Sequence, residues 1–110
     1  MFFKVEAREG YVLIRAEKGI LDSSRTTSLG ALRQEHLDDN LIIDLRKCFD
    51  IEPDALTAME EMWVEHTDRD KSCIFVYHDF DILERREDET TISLTMEDAL
   101  LTLEDEEAMR

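Results

Sequence analysis

Three carboxylates, Asp50, Glu52 and Asp54, crowd around Pro53, the single proline of this 110-residue chain, in the stretch FDIEPDALTAM (49–59). An apolar run precedes the stretch and a helical pattern follows it. Acids at such a junction can do two things. They stabilise a helix start, whose unpaired amides and positive dipole end favour negative charge by roughly 0.3–1 kcal/mol per residue, or they hold a fixed charge out to a partner. Asp79, Asp81 and Glu84 in HDFDILE could in principle bind magnesium, but a charged surface turn is the expected reading. Asp44 closes the apolar run LIID, at the end of a strand where open α/β sheets bind ligands. A structural hydrogen bond to a neighbouring loop is the simpler expectation for it. His36, His66 and His78 lack metal-ligand spacing, and Cys48 and Cys73 stand too far apart for a redox pair. The three glycines, at 10, 19 and 30, build no phosphate loop, and neither a nucleophile elbow nor a Ser-His-Asp order stands out. The sequence thus predicts no catalytic residue, metal site or cofactor, and reads as a non-enzyme.

Composition narrows the partners. Hydrophobic residues make up 43% of the chain, enough for a globular core, and 13 Lys and Arg against 28 Asp and Glu leave a net charge of −15. That sign repels nucleic-acid phosphates and anionic membranes, and it steers a basic protein partner inward. Charges break the apolar run of MFFKVEAREG after three residues, so no signal peptide is expected. No stretch approaches a membrane span. A cytoplasmic protein with two buried thiols is the expectation.

The elements that would position these residues follow from periodicity. Residues 2–8 alternate as a strand with Phe3, Val5 and Ala7 on one face. Glu9–Gly10 turn the chain into a partner strand over 11–17. Asp22, Ser23 and Ser24 supply capping groups for a helix over 24–37, whose inward face holds Leu29, Leu32 and His36. LIIDLR and CIFVYH read as strands covered on both faces. Between them Pro53 opens a helix with Ala55, Leu56, Met59, Met62, Trp63 and His66 inward. A charged segment anchored by Phe80, Ile82 and Leu83 carries a short helix and leads to TISL, a short edge strand. Thr95 and Asp98 then cap a last helix with the stripe Met96, Ala99, Leu100 and Leu103 and an acid-rich end expected to fray. The order β-β-α-β-α-β-(α)-β-α predicts a single α/β domain over 1–110. Its mixed sheet has four to five strands with parallel central ones, packed by three to four helices.

Three segments in this order resemble the STAS domain, the small α/β module of bacterial anti-sigma factor antagonists. They are GILDSSRTTSLGALRQEHL, NLIIDLRKCFDIEPDALTAM and ISLTMEDALLTLE. The resemblance implies a partner switch, in which a serine at the start of the second helix is phosphorylated by an anti-sigma factor that is also a kinase. It implies as partners a serine kinase-like anti-sigma factor and a phosphatase, with a homodimer left open. On that pattern Glu52 falls on the first Asp, Pro53 on the first Ser and Asp54 on the acceptor serine. The acceptor hydroxyl is therefore missing and a permanent charge stands in its place. Thr57, one turn on, is the alternative acceptor, while Ser23 and Ser24 are expected to cap. The outer helix face, with Asp54, Ala58, Glu61 and Glu65 in one stripe and Val64 beside it, is either a solvated surface or a docking surface for a basic groove. Two roles follow: an atypical antagonist in a partner-switching pathway, or a non-switching scaffold or ligand-sensing module of the same fold.

Overall fold

A computed structural model describes residues 2–78 and 91–110. Seven strands and three helices form among these residues: β1 (Phe3–Arg8), β2 (Tyr11–Ala16), β3 (Gly19–Leu21), α1 (Ser23–Gln34), β4 (Leu41–Asp44), β5 (Cys48–Ile51), α2 (Pro53–Thr67), β6 (Cys73–Val76), β7 (Ile92–Ser93) and α3 (Met96–Ala108). The main sheet runs β1-β2-β4-β6-β7. Its β1–β2 hairpin is antiparallel and every other pair is parallel. Gly10 makes the hairpin turn possible, because its φ of +86° suits glycine and few other residues.

Strand β4 explains the layering. Leu41, Ile42 and Ile43 are completely buried, so successive side chains enter two different cores. On one face Leu41 and Ile43 join Val12, Ile14 and Phe75 beneath Leu29 of α1 and Ala55, Met59 and Met62 of α2. On the other, Ile42 joins Leu13, Ile74 and Val76 beneath Ala99 and Leu103 of α3. Helices therefore cover both faces, as parallel strands require.

Capping follows the expected chemistry. The Asp22 carboxylate accepts from the Arg25 amide at 2.9 Å, and the Thr95 hydroxyl oxygen accepts from the Asp98 amide at 3.1 Å. Pro53 sits at the start of α2, where no amide partner is needed.

Several sequence expectations are corrected. Strands β3 and β5 were not anticipated; they pair in parallel as a separate two-stranded sheet with an irregular register at Gly19/Ile20. Helix α1 ends at Gln34, so His36 lies beyond it, facing Asp39 at 3.2 Å rather than entering the core. Val5 is exposed although it shares a face of β1 with buried Phe3. Leu100 is 37% exposed; of the predicted stripe only Ala99 and Leu103 are buried, with Met96 packed beside them. The end of α3 is tied down rather than frayed. Asn40 donates to Glu107 Oε1 at 2.7 Å, Ser72 donates to Glu106 Oε1 at 2.8 Å, and Arg110 Nη2 donates to Ser72 Oγ at 2.9 Å. The short helix expected near Phe80, Ile82 and Leu83, and the candidate metal trio Asp79, Asp81 and Glu84, lie outside the described residues.

A buried arginine joins α1 to α2. Arg33 is 2% exposed; its Nη2 pairs with Glu65, and its Nη1 faces Nδ1 of fully buried His66 at 3.5 Å. His66 Nε2 lies 2.6 Å from the Asp39 carbonyl oxygen, which can only accept, so the proton resides on Nε2 and Nδ1 accepts from Arg33. Burial pushes the His66 pKa below its usual 6.5. The Asp39 carbonyl works against this and the Arg33 and Arg69 charges add to it.

Two outcomes follow. The unfolded chain takes a proton on His66 near pH 6.5 and the folded one only at lower pH, so this contribution is complete above that value and lost as pH falls below it. Urea midpoints should hold between pH 8 and 7 and decline below about pH 6.5, and His66→Gln should flatten that decline; an unchanged slope would contradict the assignment. Leu103→Ala should cost about 2–4 kcal/mol, whereas Leu100→Ala should cost under about 1 kcal/mol in the same titration.

Candidate functional site

The carboxyl ends of the parallel strands deliver the chain to one rim. From β4 it turns through Leu45, Arg46 and Lys47 into β5, and from β5 directly into α2. All the candidate residues around Pro53 sit at this transition. Glu52 is the residue preceding the helix. Its side chain makes no capping bond, while its amide donates to the Leu21 carbonyl at 3.0 Å and so extends the β3–β5 pairing. The Asp50 carboxylate accepts from the Ile51 amide at 2.9 Å. Asp54 stands exposed in the first turn of α2, with its charge beside the helix amides. None of the three acids caps α2 through its side chain. The Thr57 hydroxyl donates back to the Pro53 carbonyl at 3.4 Å.

Asp54, Thr57, Glu61, Val64 and Glu65 are exposed along the outer side of α2, with Ala58 half-buried. They do not form one uniform acidic stripe. Glu65 is drawn toward α1 by the ion pair with Arg33, and with Ala58, Glu61 and Met62 it lines a groove of about 250 Å³ between the two helices. Its charge is committed to a buried cation, so the free acids of this face are Asp54 and Glu61.

Two apolar residues complete the surface. Phe49 is 60% exposed on β5 and Ile20 is 38% exposed on β3, the short sheet that leads into α2. The sequence offered a weak signal for Phe49. The burial of β5 runs in, out, out, in, so Cys48 and Ile51 anchor the strand while Phe49 and Asp50 face outward. Simple alternation does not produce that pattern.

Asp44 takes the structural role expected of it. Its Oδ1 accepts from the Arg46 amide at 3.1 Å and from Arg46 Nε at 2.9 Å, and its Oδ2 accepts from Arg46 Nη2 at 2.9 Å. Burial raises the carboxyl pKa, but the bonds from Arg46 outweigh it and hold the group below its usual value. The thiols are inert for a related reason. Burial pushes Cys48 up to about 11 and Cys73 up to about 12, and the two are unpaired and buried. Among the described residues, no group of three or more His, Cys, Asp or Glu side chains could hold a metal ion, and no helix is long and apolar enough to cross a membrane.

No family model matches the sequence, and no curated protein matches it. Solved structures do match. The anti-sigma factor antagonist SpoIIAA in its unphosphorylated form is similar at a TM-score of 0.71 and 12% identity, over 91% of this chain and 94% of its own. An anti-sigma factor antagonist from Mycobacterium paratuberculosis gives 0.74 and 16%, over 94% of this chain and 93% of its own. An uncharacterized protein of the DUF3478 family with a SpoIIAA-like fold, from Shewanella loihica, gives 0.57 and 15%, over 92% and 91%. At such identities the likeness is one of architecture, and it agrees with the mixed five-stranded sheet and its helices on both faces. The chain has the SpoIIAA-like fold, the architecture of these anti-sigma factor antagonist structures.

Proposed function

We propose that the chain is a regulatory protein–protein interaction module, an atypical anti-sigma factor antagonist in a partner-switching pathway. The observation that carries this reading is the exposed Asp54 in the first turn of α2, where the STAS resemblance puts the phospho-acceptor serine. The surface around it suits a protein partner. Phe49 and Ile20 supply apolar anchors, and Asp50, Glu52 and Glu61 add exposed negative charge, whereas Asp54 marks the switch position, where charge opposes docking. Buried apolar anchors give affinity and the acidic rim selects a basic partner and speeds its approach. The partner is then a kinase-like anti-sigma factor with a basic groove, and a phosphatase would have no substrate at position 54.

A phosphoserine carries nearly two negative charges and Asp54 carries one. The wild-type chain therefore occupies a partly released state, and its affinity is tuned by sequence rather than by a kinase. Glu52 and Pro53 set the geometry of the helix start, and Pro53 stiffens the segment a kinase would have to grip.

The test is calorimetric titration of the partner kinase-like protein with wild type and three variants. Asp54→Ser should bind at least about fivefold more tightly, roughly 1 kcal/mol, because docking then no longer desolvates a carboxylate at the switch position, and should be phosphorylated on incubation with ATP. Phe49→Ser and Glu61→Lys should each weaken binding about tenfold or more. Equal affinity of all four chains would remove the α2 start from the interface.

A further inference from the structure

We infer that the crevice at the carboxyl end of β2 and β4 is a binding site for a small phosphate-bearing metabolite. The crevice holds about 280 Å³ and is lined by Arg15, Ala16, Asp44, Arg46 and Lys47. In a chain of net charge −15, three cations and a single carboxylate meet in this lining. The carboxylate is already taken, because Asp44 holds Arg46 through two parallel hydrogen bonds of 2.9 Å. With Glu6 also paired to Arg15 at 3.3 Å, the lining and its partners keep a net positive charge, and three cationic groups there can donate to an anion.

The strand register builds the site. Lys4 of β1 pairs with Arg15 of β2, and Arg15 pairs with Asp44 of β4, so the three lie in one row across the sheet. This row shares a face with Leu13 and Ile42, two residues earlier on their strands, which α3 helps to bury. Helix α3 packs on β6 and β7 and leaves the β2 end of the row open, so Arg15 stays exposed. A carboxyl-end crevice is also where open α/β sheets place ligands.

The donors are available. Arg15 spends only Nε, on Glu6 at 3.3 Å. Arg46 spends Nε and Nη2 on Asp44, which leaves Nη1. Lys47 makes no ion pair among the described residues. The terminal amino groups of Arg15, Nη1 of Arg46 and the Lys47 ammonium approach from different residues, which fits the several acceptor oxygens of a phosphate better than the two of a carboxylate. Asp44 acts as a positioning residue, since its bidentate grip fixes Arg46 before any ligand arrives. The volume stands at the lower end for ligand pockets, so the organic part of the metabolite is small.

The probe is inorganic phosphate at pH 7.5, titrated into the full chain at constant ionic strength and followed by amide chemical shifts, with malonate as a carboxylate dianion in parallel. The expected result is saturable shifts confined to Arg15, Ala16, Arg46 and Lys47, weakened at least tenfold in the double variant Arg15→Gln, Lys47→Gln, with malonate at least tenfold weaker. Lys47→Gln alone serves as the second variant, its expected loss being threefold or more. Shifts that never saturate, that spread over the whole surface, or that survive both variants would overturn the site. Equal binding of malonate would overturn its assignment to phosphate.

Discussion

The central strand β4 has no face left for water, and the rest of the molecule is arranged around that constraint. Leu41, Ile42 and Ile43 are fully buried, and both edges of the strand pair in parallel, with β2 on one side and β6 on the other. Parallel pairing forces a crossover on each side, and α1 and α2 supply them over the same face. The opposite face must then be closed by another element, and α3 does so with Ala99 and Leu103. Because β2 and β4 point the same way, the chain leaves both at one rim. There β3 and β5 meet, α2 begins, and the crevice at Arg15 and Arg46 opens.

This geometry gives the molecule one locked rim and one open rim. The opposite rim is locked by polar side chains, since Asn40 and Ser72 bind both the Gly10 turn and the end of α3. The Arg33, His66 and Asp39 contacts lock α1 to α2 from within. Such buried networks stabilise only when every partner is in place, which makes that end a poor site for variation. The carboxyl-end rim is different. Its strands are short, its helix start takes no side-chain cap, and its exposed groups point to solvent. Two surfaces of opposite sign lie there, an acidic one around Asp54 and a basic one around Lys47.

The legible parts of the fold were those with a local cause. LII and CIF read as doubly buried strands, Pro53 as a helix start, and Thr95 with Asp98 as a cap, each from a few adjacent residues. The β3–β5 pair was illegible because its partners are three and four residues long, stand far apart in sequence and carry an irregular register. Leu100 was misjudged since its place on the α3 wheel lies just past the covered strip. At the candidate site, the sequence pointed to the acids around Pro53 and to Asp44. It gave no hint that Arg33 is buried and claims Glu65, because an arginine on a helix reads as a surface residue. Nor could it bring Arg15 beside Lys47, which only the register of β2 with β4 accomplishes.

The measurement that bears most directly on the central claim is affinity capture from the native lysate with two tagged baits, the wild-type chain and Asp54→Ser, followed by quantitative mass spectrometry. The account predicts one ATP-binding, kinase-like protein in both eluates, with more of it on Asp54→Ser. Eluates that contain only the bait itself, or the same kinase-like protein in equal amounts on both baits, would contradict a charge-tuned docking surface at the start of α2.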